Sequence, residues 1–176
     1  MMGQYTKAAL LVIDVQKGLF EHETPIYEAD RLLANVQLVI DRAHAAGVPV
    51  FYIQHSTDTV LVEGTDGWNL HPAMKPLPGD YSIHKHHGNA FEDTSLKADL
   101  DSLHVGRVVI VGLLTKNCVQ ATCYGAHDLG YDVTLVQDGH SNYSENAGQI
   151  IEEENELLSR QGIVHLQRAA DIHFDE

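Results

Sequence analysis

Three residues of this sequence carry the side chains that covalent catalysis requires. Asp14 lies at the end of one apolar run, Lys85 at the end of another, and Cys118 just after a third. A thiol can act as a nucleophile, a carboxylate can move its proton, and an ammonium group can stabilise the negative charge that results. In a parallel sheet the carboxyl ends of all strands lie along one edge, so these side chains are expected to meet there.

Cys118 belongs to the stretch from Arg107 to Gly130, and the rest of the chain is predicted to be organised around this stretch. The β-branched run Val108 to Val111 predicts a buried strand, bounded by a glycine. The turn Leu113 to Asn117 follows, and then a helix that ends at the C-cap glycine, Gly130. Cys118 therefore falls in the first turn of a helix, where a thiolate is favoured over a thiol.

Each of these residues also has an ordinary structural interpretation. A strand-end aspartate such as Asp14 often caps a turn, and a lone lysine such as Lys85 is often a surface residue. A cysteine among small helical residues, such as Cys118, is often part of the core, and Cys123 is interpreted in that way. The coincidence of an acid, a base and a thiol at one edge is what favours catalysis.

The elements that must position these residues alternate along the chain. The predicted strands are Lys7–Val15, Val48–His55, Tyr81–His86, Val108–Val111, Tyr131–Gln137 and Ile163–Gln167. The predicted helices are Ala29–Ala46, Thr94–Leu103, the segment from Cys118 to Gly130, and Glu145–Gln161. Connections of this length favour right-handed crossovers, and hence an α/β fold with a mostly parallel sheet between helical layers. One domain spanning residues 1–176 is expected; the periodicity does not determine the strand order.

Composition argues against several classes of function. The formal net charge is −14 at pH 7, which would repel a phosphate backbone, so no nucleic-acid partner is expected. No apolar run is long enough to span a bilayer and no secretory signal pattern is present, so no membrane association and a cytoplasmic location are expected. The two cysteines point to different sides of one helix and are expected to be reduced thiols. No glycine-rich phosphate motif follows the first strand and no Walker motif is present, so no cofactor is expected.

The substrate pocket is expected to form from loops at the same edge as the reactive residues. The segment Ser56 to Asp80 shows no periodicity, and a loop this long in a compact domain is typically functional. The candidate substrate-binding residues are Phe20, His55, Trp68, Phe91 and Asn117, with Tyr143 as a further aromatic residue of the wall. Ordinary packing or a subunit contact is the alternative for the aromatic residues. The histidines around Lys85 lack the spacing of a zinc motif, so no metal site is expected.

The chain resembles the isochorismatase-like cysteine hydrolases from about Lys7 to Asp138. The matching segments are LLVIDVQKGLF, PVFYIQHSTD, EGTDGWNLHP, KHHGNAFEDTSL, VVIVGLLTKNCVQATCYGAHDLGYDV and VQDGHSN. The most specific piece is the G-x-x-T-x-x-C-V motif at Gly112, Thr115, Cys118 and Val119.

This resemblance implies a three-layer α/β/α fold with the parallel strand order 3-2-1-4-5-6. It also implies an Asp–Lys–Cys catalytic triad, which falls on Asp14, Lys85 and Cys118. A cis peptide bond would join Leu113 to Leu114, and the backbone amides of Leu114 and Cys118 would form an oxyanion hole. In that strand order Lys85 belongs to a strand that is not adjacent to the Cys118 strand. Its loop must therefore curl inward, or its long side chain must reach across.

Departures from the family pattern reduce the range of reactions expected for this chain. The nicotinamidase branch carries an Asp-x-His metal motif after the second strand, where this chain has Gln54 and His55. Isochorismatases cleave a vinyl ether and lack the cysteine, so Cys118 disfavours that reaction. The resemblance that remains is to amidohydrolases that act on small amide, carbamoyl or ureido compounds. A homo-oligomer, dimer or higher, is also implied, with the Trp68 loop as a candidate contact.

A function without hydrolysis stays open as an alternative. The chain could be a thiol redox sensor or a module that binds a small ligand. A sensor is disfavoured because no resolving cysteine is placed to pair with Cys118.

Overall fold

One parallel sheet of six strands organises the protein. The computed structural model describes residues 7–174. The strands are β1 (Lys7–Ile13), β2 (Val50–His55), β3 (Tyr81–Lys85), β4 (Val105–Leu113), β5 (Asp132–Ser141) and β6 (His165–Gln167). Their order is β3-β2-β1-β4-β5-β6, and every pair of neighbours is parallel. The predicted α/β class is confirmed, and so is the strand order that the resemblance implied.

Helices cover both faces of the sheet. They are α1 (Lys17–Phe20), α2 (Ala29–Ala45), α3 (Leu96–Ser102), α4 (Gln120–Asp128) and α5 (Ala147–Arg160). Leu11 of β1 belongs to a core cluster shared with α3, α4 and α5, whereas its neighbour Leu10 belongs to a second cluster shared with α2. Because both faces are buried, the central strands are apolar throughout rather than alternating with polar residues. Within residues 7–174, no helix combines the length and the apolar character that crossing a bilayer demands.

The ends of β5 and β4 differ most from the prediction. Most predicted bounds agree with the structure to within two residues, but β4 begins at Val105 and β5 continues to Ser141. The register shows why β5 is longer: Ile110 pairs with Leu135, while Gly112 pairs with His140. Residues 136–139 therefore bulge out of the pairing before the strand resumes. The Asp-Gly pair in this bulge has the sequence of a turn, which is why the sequence predicted an end there.

Gly112 allows β1 and β4 to approach closely at their carboxyl ends. Its φ is +128°, and a Cβ at this position would lie 2.0 Å from the carbonyl oxygen of Ile13. No L-residue fits without moving one of the two strands. Asp14 directly follows Ile13, and Cys118 follows the end of β4, so this contact also sets the separation of two candidate catalytic residues.

Replacing Gly112 with alanine should destabilise the fold severely. We expect Gly112→Ala to lower the free energy of unfolding by about 3 kcal/mol or more, because the new methyl group meets backbone rather than a movable side chain. The control is Gly47→Ala, since Gly47 has a φ of +71° and no atom lies within 4 Å of the place that its new methyl group would take. This control should cost only about 1–2 kcal/mol. Urea denaturation of both variants measures the difference, and equal losses would contradict the close-approach argument.

Candidate active site

Asp14 is held directly after β1 in an unusual backbone conformation. Its φ is 53°, in the left-handed region, and its amide donates to the carbonyl oxygen of Ile53 at 2.9 Å. The residue is only 2% exposed. One carboxylate oxygen, Oδ2, accepts a hydrogen bond from Lys85 at 3.3 Å, while Oδ1 is buried and has no hydrogen-bond partner. The second oxygen is therefore free to receive a proton.

Lys85 is completely buried and its ammonium group lies at the centre of the site. Its Nζ donates to Asp14 Oδ2 at 3.3 Å, Cys118 Sγ at 3.1 Å, His55 Nδ1 at 2.9 Å and the carbonyl oxygen of His87 at 3.0 Å. A buried ammonium is costly unless acceptors surround it, and here they do. The ammonium group has three N–H donors for these four acceptors, so every donor has a partner and one donor is shared between two acceptors.

The long side chain of Lys85, rather than a curled loop, closes the distance to Cys118. The Lys85 backbone stays in register with His55 of β2, and its carbonyl oxygen accepts from the amide of Ser56 at 2.9 Å. The side chain then passes over the end of β2 to the gap between β1 and β4. Lys85 can therefore contact Cys118 although the strands that precede them, β3 and β4, are not adjacent.

Cys118 lies in a π-helical turn, Thr115–Val119, between β4 and α4. The peptide bond between Leu113 and Leu114 is cis, as the resemblance implied. Asn117, with φ −114° and ψ −107°, is the one non-helical residue of this turn, so Cys118 directly follows the kink and leads into α4, which begins at Gln120. The predicted position of Cys118 at the start of the helix after β4 is confirmed, whereas the π-helical form of this turn was not predicted.

The electrostatics favour a thiol over a preformed thiolate. Burial, followed by the charge of Asp14, raises the pKa of Cys118 to about 12, and the neighbouring Lys85 ammonium offsets only part of this. The expected ionisation by a helix start and an ammonium group is therefore wrong for the resting protein. Burial also raises the pKa of Asp14, against the opposing influence of Lys85. A carboxylate with a raised pKa is a stronger base, so it is better matched to a reluctant thiol.

His55 completes the polar floor of the site as a neutral acceptor. Burial and the adjacent Lys85 ammonium lower its pKa to about 4, so the ring accepts from Lys85 through Nδ1. The ligand atoms of Asp14, His55 and Cys118 lie within 4.8 Å of one another, which is a spacing that could hold a metal ion. Lys85 donates to all three, so the cation that this set of acceptors fits is an ammonium group.

A second group with that spacing lies on the surface. It consists of His87, Glu92 and Asp93, all exposed, with His87 Nε2 at 3.1 Å from Asp93 Oδ2. Such exposed contacts between histidine and carboxylates are common on protein surfaces without a bound ion.

A cavity of about 330 Å³ opens beside Cys118. Its lining residues are Asp14, Leu19, His22, His55, Thr57, Thr59, Val60, Leu61, Leu114, Asn117, Cys118 and Tyr143. Two of the predicted substrate-binding residues, His55 and Asn117, line it, as does the aromatic ring of Tyr143. Leu114 and Cys118, whose amides the resemblance assigned to an oxyanion hole, line it as well.

The other three predicted pocket residues lie elsewhere. Each packs its ring against another ring instead of lining the cavity. The pairs and their centroid distances are Phe20 with His71 at 4.6 Å, Trp68 with His84 at 4.8 Å, and Phe91 with Tyr131 at 5.7 Å. The indole of Trp68 also donates to Ser56 Oγ at 3.0 Å. The sequence predicted loops for these residues, which is wrong for Phe20, the last residue of α1, and it could not show which way their rings turn.

The segment from Thr57 to Leu61 is a part of the wall that the sequence did not predict. The hydroxyl of Thr57 accepts hydrogen bonds from the amides of Val60 and Leu61, at 3.2 and 2.9 Å. This turn directs Val60 and Leu61 to the cavity. A detectable signal was present: Val60 and Leu61 belong to a run of three apolar residues, Val60 to Val62, in the loop that follows the carboxyl end of β2.

A buried network fixes the first residue of the turn that carries Cys118. The Thr115 hydroxyl lies 2.9 Å from His140 Nδ1, and His140 Nε2 lies 2.8 Å from Asn155 Oδ1. Because the Asn155 amide nitrogen donates to the carbonyl oxygen of Gln137, its Oδ1 must accept the proton of Nε2. Burial lowers the pKa of His140 to about 4, so the ring carries only that proton and Nδ1 accepts from Thr115.

Removing the Thr115 hydroxyl should destabilise the protein. We expect Thr115→Val to lower the free energy of unfolding by about 1–3 kcal/mol, because it leaves Nδ1 of His140 buried without a donor. Thr134→Val is the control: this threonine is also buried, but its hydroxyl makes only a 3.4 Å contact with Arg107, so its loss should stay below about 1 kcal/mol. Urea denaturation distinguishes the two, and similar losses would show that the network contributes nothing.

Comparison with known proteins identifies relatives of this chain. Residues 8–152 match the family described as the isochorismatase domain. A streptothricin hydrolase from Streptomyces noursei is 35% identical over 137 residues, which cover 77% of this chain and 50% of that protein. The isochorismatase family protein YddQ from Bacillus subtilis is 30% identical over 135 residues, covering 74% of this chain and 75% of that protein.

Solved structures have the same fold. The crystal structure of an isochorismatase family protein superposes with a TM-score of 0.85 at 30% identity, covering 91% of this chain and 97% of the other. The chain spans about half the length of the streptothricin hydrolases that it matches.

Proposed function

Because the chain belongs to the isochorismatase family, we propose that it is a cysteine hydrolase that breaks a carbon–nitrogen bond in a small amide, carbamoyl or ureido compound. One observation carries this proposal: a single buried ammonium contacts both a carboxylate and a thiol beside a cavity. A relative from Streptomyces noursei is named as a hydrolase of streptothricin, which supports hydrolysis as the class of reaction.

The first half of the reaction forms a thioester. Cys118 Sγ bonds to the substrate carbonyl carbon while Asp14 takes the thiol proton, and the carbonyl electron pair moves onto oxygen. The backbone amides of Leu114 and Cys118 stabilise this oxyanion, an effect worth about 3 kcal/mol per donor in other acyl-transfer enzymes. The C–N bond then breaks, and the leaving amine or ammonia departs with the proton held by Asp14.

The second half returns the enzyme to its starting state. Asp14 removes a proton from water as the water oxygen bonds to the thioester carbon. The C–S bond then breaks, the acid leaves, and the proton returns from Asp14 to the sulfur. One carboxylate therefore serves both steps, which suits a residue with one bonded and one unbonded oxygen.

The pKa of the thiol determines when its proton moves. Burial and the charge of Asp14 raise the pKa of the thiol, so the sulfur rests mainly as a thiol and its proton moves to Asp14 as the attack proceeds. Lys85 stabilises the carboxylate before this transfer and the sulfur during it.

Replacing the nucleophile tests the proposal directly. We expect Cys118→Ala to abolish ammonia release from small amides, because no other group in the cavity can form the thioester. The fold should be retained, as judged by circular dichroism and thermal denaturation, because the residue lies at the cavity wall. The matched control is Cys123→Ala, which removes a fully buried thiol outside the site. Retained turnover in Cys118→Ala would refute the mechanism.

Charge removal at the other two residues should affect the thiol in opposite directions. Asp14→Asn removes a negative charge that raises the pKa of Cys118, whereas Lys85→Met removes a positive charge that lowers it. We expect both to reduce kcat by at least about 10². At pH 8, however, iodoacetamide should alkylate Cys118 about tenfold faster in Asp14→Asn, and more slowly in Lys85→Met, than in the wild type.

Intact-mass analysis measures this alkylation rate. Slower alkylation of Asp14→Asn would mean that Asp14 ionises the thiol in the resting protein, contrary to the proton transfer proposed here. The same method separates a hydrolase from a redox sensor. A small amide should leave an acyl adduct on Cys118 of a hydrolase, while a sensor would react with peroxide and ignore amides.

A further inference from the structure

The cavity beside Cys118 offers a largely apolar surface to its ligand. Leu19 of α1, Val60 and Leu61 of the loop after β2, Leu114 after β4, and Tyr143 after β5 all contribute to its lining. The side chain of Leu61 is almost fully buried, while that of Val60 is 51% exposed. These residues thus form a wall that continues from the interior to the surface. Burying an alkyl group against such a wall is favourable.

The charges at the cavity oppose an anionic ligand. Among the lining residues described in the structure there is no lysine or arginine, and Asp14 is the acidic one. The nearest ammonium, that of Lys85, is fully buried and already donates to four acceptors. His55 is kept neutral by its burial and by Lys85, which lower its pKa. His22 also lines the cavity, and its ring stacks on that of Tyr143 at 4.2 Å. A ligand carboxylate would therefore lose its hydration without gaining a lysine or arginine partner.

The size of the cavity limits the ligand further. About 330 Å³ lies at the small end of the range for ligand pockets. The polar residues Thr57, Thr59 and Asn117 offer hydrogen bonds without charge. The space therefore suits an amide group at the sulfur with a short, uncharged substituent.

We propose that this cavity selects small uncharged amides with a short apolar substituent and rejects those that carry a carboxylate in its place. The inference rests on the proposed function, because it assumes that Cys118 attacks the amide carbon. It goes further in assigning the substituent to the wall formed by Leu19, Val60, Leu61, Leu114 and Tyr143.

Two pairs of amides that differ in one group test the proposal. Valeramide and glutaramate differ only by a terminal methyl group against a carboxylate, and butyramide and succinamate differ in the same way. We expect kcat/KM for ammonia release to be at least about 100-fold higher for the uncharged member of each pair. The Cys118→Ala variant, assayed in parallel, gives the background rate.

The possible outcomes test the selectivity of the cavity and the proposed function separately. Equal or faster turnover of glutaramate and succinamate would overturn the selectivity and leave the hydrolase mechanism standing. If none of the four amides releases ammonia above the Cys118→Ala background, the assignment of small alkyl amides to this cavity is overturned. The proposed function fails as well if carbamoyl and ureido compounds also give no ammonia release that depends on Cys118.

A cation added at the mouth of the cavity provides a second test. Val60→Lys should raise kcat/KM for glutaramate about fivefold and lower that for valeramide, because the new ammonium can pair with the carboxylate. Val62→Lys is the matched control, since Val62 is also exposed in this loop but does not line the cavity. Equal gains in the two variants would show that overall charge, not the cavity wall, governs selection, and would overturn the assignment.

Discussion

The ammonium group of Lys85, shared by a carboxylate, a sulfur, an imidazole and a backbone carbonyl, is the interaction on which the site depends. A charge this deeply buried persists only where acceptors surround it. Four elements deliver those acceptors: β1 leads to Asp14, β2 ends at His55, the chain after β3 brings the His87 carbonyl, and the turn after β4 holds Cys118. The strand order β3-β2-β1-β4 brings these ends together along one edge. The sheet topology thus acts as a scaffold for one cation.

Burial gives the site its chemical character. Removal from water raises the pKa of both Asp14 and Cys118, so each holds its proton more strongly than it would at the surface. The raised pKa of Asp14 makes its carboxylate a stronger base toward the thiol, and Lys85 stabilises either group when it is charged. The buried histidine at position 140 and the half-buried one at position 55 are kept neutral by the same effect. They contribute as fixed hydrogen-bonding groups and not as additional charges.

The sequence predicted that Asp14, Lys85 and Cys118 meet at one edge of the sheet better than it predicted their surroundings. Alternating apolar runs and helices indicated the α/β class, and the segment around Cys118 resembled the family closely enough to indicate the strand order and the cis bond at Leu113. Side-chain direction was not accessible in this way, because it depends on which distant residue supplies a packing partner: Trp68 turned to His84 instead of the cavity. The π-helical turn before α4 and the bulge in β5 also had no periodic signal. Both are irregularities fixed by tertiary pairing.

The contact between Gly112 and Ile13 has a consequence for how such a protein can evolve. In many enzymes, strained residues in the active site lower stability, whereas substitutions elsewhere in the fold can raise stability without affecting activity. At position 112 this separation does not exist, since the same backbone approach joins the central strands and sets the spacing of Asp14 and Cys118, the proposed acid and nucleophile. Selection for expression alone would retain this glycine even in a descendant that had lost its catalytic role. An invariant residue here would therefore be a poor marker of activity among homologues, whereas Lys85, a buried charge that contacts the carboxylate and the thiol of the site, would be an informative one.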